Sequence, residues 1–397
     1  MANYNNDLQE LCIHFPGCKP NGCLHFGMGI ASTVGKELSE ITKKKILIIT
    51  DSTIINLNLH SSIVQSLKEH SLKYDIFHNV QSEPHIETME QLEKFLFTDN
   101  YGAIIGLGGG SVLDVAKVAA VMAYMKCSAV EIFANQDIIC GSLTTILIPT
   151  TSGTGSEVSP YSVMAIGNKK RFISSTHLYA DIALVDPELT FSMPQKVTAT
   201  TGLDALTHGV EGGIGKDNPY TRAMMLQCVK LTFKYLPRAF KDGSDREARY
   251  YMSLASVLGM LAYTQGGGLY AHSISYILTT NYKCPHGLGC GLALPYILQM
   301  NKPYITDLLH DISKVISPDN KVFTEEQVIE QFMELVNTVG VPTGLADIGI
   351  NENELDGFAE VLVNQYYRAL NPVKLTVDSA KTLMYAMYKK TLKFVIN

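Results

Sequence analysis

A parallel α/β layer followed by an all-helical domain is the fold class that this sequence predicts. Three observations predict it. In the first half, short β-branched apolar runs alternate with stretches of helical apolar spacing. Such alternation is the mark of a parallel sheet with helices on both faces. After Pro194 the β-branched runs thin out, and apolar residues recur mainly at helical spacing. Finally, 397 residues are too many for one ordinary domain and suit two. The expected division is an α/β domain over 1–193 and a helical domain over 194–397.

The elements follow in order. Lys45-Ile46-Leu47-Ile48-Ile49-Thr50 reads as a buried strand. A helix is expected over 61–70, a strand over 74–79 and a helix over 86–97. The run 103–107 is the next strand, 112–124 the helix after it, and 143–148 a further strand. In the second half, helical spacing marks 223–235, 246–261 and 355–363.

Bulk composition excludes several function classes. The net charge is −6, which argues against a nucleic-acid binder with its basic face. No apolar run reaches membrane-spanning length, and no secretory pattern opens the chain. Eight cysteines form no CxxC pair, and the Cys12, Cys18, Cys23 spacing fits no common zinc pattern. Free thiols in a cytoplasmic protein are the expectation.

Gly106-Leu107-Gly108-Gly109-Gly110-Ser111 sits between a strand and a helix, with Lys117 about two turns further on. Glycine lets the backbone approach a phosphate, and the helix N-terminus favours an anion. A tight turn without ligand has the same composition. Asp51 directly follows the first strong strand. A carboxylate there can accept the hydroxyls of an adenosine ribose and repel a 2′-phosphate, or it can cap the next helix. Thr150-Thr151-Ser152-Gly153-Thr154-Gly155 is a second run of hydroxyls and glycines after a strand.

Asp204 and His208 stand four apart, on one face of a helix. His272 and His286 follow, the latter held between Pro285 and Gly287 on a stiff turn. One carboxylate and three imidazoles suit a borderline divalent cation. A helix-surface pair with ordinary core and turn histidines is the alternative from spacing alone.

Taken together, Gly108–Lys117, Pro149–Glu157, Thr201–His208, His272 and Pro285-His286-Gly287 resemble the iron-containing (group III) alcohol dehydrogenase family, in its order and spacing. The resemblance implies a Rossmann-like NAD-binding domain and a helical domain, in the architecture shared with dehydroquinate synthase. It implies a cation, Fe²⁺ or Zn²⁺, held by Asp204, His208, His272 and His286. It also implies NAD along Asp51, Gly108, Gly109, Gly110, Ser111, Asp114, Thr150, Thr151, Thr154 and Leu189, and a homodimer. The activity implied is hydride transfer between nicotinamide and a small primary alcohol or aldehyde, with Lewis-acid help. His272 and Tyr276 are the candidate catalytic residues. Tyr276 stands where the family often has a proton-relay histidine, and a tyrosine relays poorly near neutrality. Two further departures are Glu83-Pro84, where an Asn-Pro pair is frequent, and a family lysine that falls within Lys169-Lys170-Arg171. Tyr276 and Lys283 also suggest an acidic short aldehyde, of the sulfoacetaldehyde, phosphonoacetaldehyde or succinic semialdehyde type. A dehydroquinate synthase-like lyase using NAD transiently is the remaining alternative.

Overall fold

The computed structural model describes residues 11–14, 19, 22–167, 169–317 and 322–396. Cys18 lies outside them, as do the side chains of Cys12 and Lys169. The chain forms two compact units, Met1–Thr151 with Gly155–Ser192, and Ser152–Thr154 with Met193–Asn397.

The first unit is built on a seven-stranded sheet. Its strands are β1 (Leu11–His14), β2 (Cys23–Phe26), β3 (Lys45–Ile49), β4 (Tyr74–Phe77), β5 (Tyr101–Gly108), β6 (Thr144–Pro149) and β9 (Ile182–Val185), in the order β1-β2-β9-β6-β5-β3-β4. All neighbours run parallel except the edge pair β1–β2. The helices are α1 (Val34–Ile41), α2 (Ser52–Asn56), α3 (Ser61–Glu69), α4 (Ile86–Leu96), α5 (Gly110–Met125) and α6 (Ala129–Ala134). Helices on both faces explain why Ile46–Ile49 are all fully buried rather than alternating. The strands β7 (Tyr161–Ile166) and β8 (Lys169–Ser174) form a separate antiparallel hairpin that turns at Gly167, φ 58°. The sequence pattern marks neither this hairpin nor β1, β2 and β9. Four-residue strands are too short to show a period, and a two-stranded ribbon needs no long apolar run.

The second unit is helical: α7 (Gln195–Gly215), α8 (Pro219–Lys241), α9 (Arg246–Gly266), α10 (Tyr270–Tyr282), α11 (His286–Asn301), α12 (Thr306–Ile316), α13 (Glu325–Thr338), α14 (Leu355–Gln365) and α15 (Val377–Tyr388). One apolar core gathers Leu203, Leu206 and Val210 of α7 with residues of α8, α9 and α13. A second gathers residues of α10, α11, α14 and α15. Glycines set how closely α7 is approached. A Cβ on Gly266 would lie 1.7 Å from the Gly212 carbonyl oxygen, so α7 and α9 touch backbone to backbone. A Cβ on Gly287 would lie 2.1 Å from the Thr200 oxygen, so α11 begins hard against α7.

Candidate metal centre and nucleotide turn

Helix α7 carries Asp204, His208 and Glu211 at i, i+4 and i+7, one face over two turns. Helix α10 contributes His272. It ends with Lys283 in the left-handed region at φ 52°, and Pro285 then opens α11 at His286. That sharp reversal returns His286 to the face of α7.

The donor atoms of Asp204, His272, His286 and Cys290 all lie within 4.8 Å of one another. His272 Nε2 is 3.9 Å from Asp204 Oδ1, and His286 Nε2 is 3.8 Å from the same oxygen. His208 falls outside this tightest set. Its ring stands 4.6 Å from that of His272, centroid to centroid, and 4.9 Å from Tyr263. The structure therefore brings together three of the four expected ligands, keeps the fourth beside them, and adds a cysteine.

Hydrogen bonds fix which nitrogen faces the centre. Glu211 Oε2 lies 2.7 Å from His272 Nδ1, and its carboxylate also accepts from the backbone N–H of Leu269 and Ala271 at 2.6 and 2.7 Å. A carboxylate accepts only, so His272 Nδ1 carries the proton and Nε2 presents a lone pair. Ser275 Oγ donates its one proton to the His286 carbonyl at 2.6 Å. It therefore accepts from His286 Nδ1 at 2.8 Å, and His286 Nε2 is also a lone pair. The His272 and His286 lone pairs both face the Asp204 carboxylate, and the Cys290 thiol stands 3.7 Å from His286 Nε2. Asp204 Oδ1, His208 Nδ1 and His272 Nε2 are buried without a hydrogen-bond partner. Of these, Asp204 Oδ1 and His272 Nε2 are acceptors that face each other without a donor, which fits a cation.

The electrostatics agree. Burial pushes the Asp204 carboxyl up, but His208, His286 and His272 outweigh it and hold the group below its ordinary value. Burial and the neighbouring His208 hold His272 well below the usual imidazole range, in the neutral form that ligates. Sequence reasoning missed Glu211. The one signal in the sequence is an acid about one turn beyond His208 on the same face.

Tyr276 stacks on His286, centroids 5.2 Å apart. Burial pushes its hydroxyl up to about 12, so relay near neutrality is a poorer role for it than shaping the pocket. Lys283 is an exposed helix cap and is not turned into a buried site. A residue that the pattern did not mark, Arg368, is half-buried beside Tyr276. Its Nε donates to Ser273 Oγ at 2.7 Å, and its guanidinium lies 5.9 Å from the Tyr276 ring centroid.

In the first unit, parallel register aligns Ile49 with Gly106 and Gly108 with Pro149. The turns after β3, β5 and β6 thus stand side by side at the carboxyl edge, where open α/β sheets bind ligands. They carry Asp51, Gly109 to Ser111, and Thr150 with Thr151. Asp51 Oδ1 caps α2, accepting from Thr53 and Ile54 N–H at 2.7 and 3.1 Å. Both bonds go to one oxygen, leaving Oδ2 with no hydrogen bond among the described residues. Gly108 is needed for packing, since a Cβ would lie 2.7 Å from Val112. Gly109 is not. Its φ is −75°, and a Cβ would meet only Thr151 at an ordinary 3.5 Å.

Other expected nucleotide residues have internal partners. Ser111 Oγ donates to the Ser82 carbonyl. Asp114 accepts from Ser156 Oγ at 2.6 Å and Val163 N–H at 2.9 Å. Buried Lys117 donates to Ser156, Ser159 and the Tyr161 carbonyl. These bonds tie α5 to the β7 hairpin, which is a structural use of Lys117 and not phosphate capture. The Thr150 N–H bonds Gly108 O at 3.0 Å, and Leu189 packs in the core of this unit. Thr154 belongs to the second unit. The two departures from the family pattern meet each other, with Lys170 Nζ 3.4 Å from Glu83.

Comparison with known proteins gives the same picture over most of the chain. Residues 21–187 match the iron-containing alcohol dehydrogenase model, and 198–388 match the model of that family's C-terminal domain. Long-chain-alcohol dehydrogenase 1 of Geobacillus thermodenitrificans is 31% identical, over 93% of this chain and 95% of that one. Sulfoacetaldehyde reductase of Bilophila wadsworthia is 30% identical, over 84% and 89%. The structure of sulfoacetaldehyde reductase from Bifidobacterium kashiwanohense in complex with NAD+ superposes with a TM-score of 0.86 at 26% identity, covering 94% of this chain and 99% of that one. With both of its units matched by that family's models and a relative 31% identical over 93% of its length, the chain belongs to the iron-containing alcohol dehydrogenase family.

Proposed function

We propose that the protein is an NAD-dependent, divalent-metal-dependent dehydrogenase of small primary alcohols, working equally as an aldehyde reductase. The observation that carries this is the convergence of the His272 and His286 lone pairs on the Asp204 carboxylate, where Asp204 Oδ1 and His272 Nε2 are buried without a hydrogen-bond partner. Asp204, His208, His272 and His286 would hold the cation, Fe²⁺ or Zn²⁺. When bound, it supplies Lewis-acid polarisation of a substrate oxygen, while the nicotinamide accepts or gives the hydride. The chain's own residues do the positioning. Glu211 and Ser275 each hold one imidazole in a single tautomer, so its lone pair needs no reorganisation. Asp204, His208 and His272 are buried, while the His286 side chain stays 30% exposed.

Gly109 supports the NAD part of the reading. Nothing among the described residues explains its missing side chain, whereas an approaching pyrophosphate does. Asp51 supports NAD over NADP. Asp51→Asn retains an acceptor for the α2 cap but removes the charge. Its melting temperature should match that of the wild type, while the preference for NADH over NADPH falls by roughly tenfold, about 1.4 kcal/mol. Steady-state kinetics with both cofactors reads this.

No described helix is long and apolar enough to cross a membrane. Cytoplasmic residence and homodimer assembly belong to the same proposal. Free Cys127, Cys140, Cys228, Cys284 and Cys290 support the first, and the family membership supports the second. The primary test is NADH oxidation by purified protein with a panel of short aldehydes, before and after chelation and on return of Fe²⁺ or Zn²⁺. Metal-dependent turnover sustains the reading. A fully metallated protein without net NADH turnover would sink it in favour of the lyase alternative.

Arg368 favours a second reading, in which the aldehyde carries an acidic group. Its charge reaches His272, Tyr276 and the Glu211 carboxylate, which stands beyond ion-pair distance. Arg368→Ala should raise KM for sulfoacetaldehyde or succinic semialdehyde by roughly 10–100-fold, the worth of a charge-assisted hydrogen bond. Propanal should be far less affected, and Lys283→Ala should change neither. Equal effects on propanal would remove this reading.

A further inference from the structure

We propose that Cys290 is a further metal ligand, its sulfur joining the donors of Asp204, His208, His272 and His286 in one mixed set. This rests on the metal-centre reading above and goes beyond it by adding a donor that the four-residue pattern does not contain.

Three observations carry it. Cys290 Sγ is in the set of donor atoms that all lie within 4.8 Å of one another, and no atom of His208 is. The thiol is fully buried, 3.7 Å from His286 Nε2, the nitrogen whose lone pair faces the centre. Third, Cys290 follows His286 by four residues on α11, so both project from one face of it. That face is fixed against α7. A Cβ on Gly287 would lie 2.1 Å from the Thr200 oxygen, and one on Gly291 2.6 Å from Leu203 Cδ1. Neither residue can swing away without separating the helices.

A buried thiol is often only a small apolar side chain. Cys228 and Cys284 answer that description, each packed in an apolar cluster. Around Cys290 Sγ stand a carboxylate and two imidazoles instead. The chemistry balances simply. The S–metal bond forms as the S–H bond breaks, its proton leaves to solvent, and nothing is oxidised or reduced. A soft sulfur donor tilts an otherwise hard-to-borderline site towards thiophilic cations such as Zn²⁺.

Zinc K-edge X-ray absorption on the zinc-loaded, full-length protein tests this without reference to turnover. A sulfur shell at about 2.3 Å is expected beside nitrogen and oxygen at about 2.0–2.1 Å. In Cys290→Ser the sulfur shell should disappear, and the Kd for zinc should rise on the order of tenfold while that for Mn²⁺ moves little. Cys284→Ser should keep the shell. If Cys290→Ser does not fold, the wild-type spectrum together with Cys284→Ser still decides. A wild-type spectrum of nitrogen and oxygen alone overturns the assignment and leaves the dehydrogenase reading standing. Wild-type protein that binds no zinc, iron or cobalt overturns both.

Discussion

Asp204→Asn is expected to remove metal-dependent turnover, lowering kcat/KM on the order of a thousandfold. Asp204 brings the one full negative charge to a cluster otherwise made of imidazoles and a thiol. Its Oδ1 is the atom that both His272 Nε2 and His286 Nε2 face. An amide keeps the shape and loses the charge, and a buried divalent cation facing neutral ligands is poorly compensated. Lewis-acid stabilisation of developing charge amounts to several kcal/mol, and each ~1.4 kcal/mol is tenfold in rate. Steady-state kinetics should be run alongside elemental analysis of the purified variant. Full turnover from protein lacking metal would show that the cluster does not serve the chemistry.

Gly287→Ala is expected to cost nearly as much, although it removes no ligand. The new Cβ would fall 2.1 Å from the Thr200 carbonyl oxygen and 3.1 Å from Asp204 Cβ. The first of these is backbone in a helix and cannot yield. Helix α11 must therefore back away at its first turn and carry His286 with it. An ångström of displacement is ruinous for a centre whose ligands need placing to a few tenths of an ångström. Metal affinity should fall roughly 100-fold, and the strain should cost about 1–3 kcal/mol. Isothermal titration with Zn²⁺ measures the first and chemical denaturation the second. An affinity within a factor of three of the wild type would mean that α11 has room the packing does not show.

These two cases mark what a sequence can disclose. Asp204 and His208 are legible because a helix repeats every 3.6 residues and puts them on one face. His286 is legible because Pro285 and Gly287 stiffen its turn. The long strands β3, β5 and β6 are legible because double-sided burial demands unbroken apolar runs. Cys290 and Glu211 were each one turn from a suspected ligand, yet helical spacing alone cannot say which of a residue's many neighbours it meets. The close approach of α11 to α7 depends on a pairing of helices more than eighty residues apart, and no local pattern carries that. Arg368 is harder still. It reaches Tyr276 from the segment beyond α14, nearly a hundred residues away, and its surroundings read as ordinary loop. Asp114 and Lys117 show a second use that spacing does not disclose. Beside a glycine-rich turn they look like ligand groups, and in the fold they serve largely to fasten a hairpin.

The converging acceptors also enter the thermodynamics of the folded chain. Asp204 Oδ1, His208 Nδ1 and His272 Nε2 give up water on folding and receive no donor in exchange. A buried polar atom left in that condition costs about 1–3 kcal/mol, against a total folding margin of about 5–15. A cation that binds only the folded protein reverses the deficit, contributing about 4 kcal/mol at a thousand times its Kd. Chelation should therefore lower the melting temperature by roughly five degrees, and restoring the cation should recover it. An unchanged melting temperature would mean that water relieves the acceptors on its own. On this accounting, a cell short of the cation would hold protein that is inactive and also more readily unfolded and degraded, so abundance would report metal supply before any substrate is met.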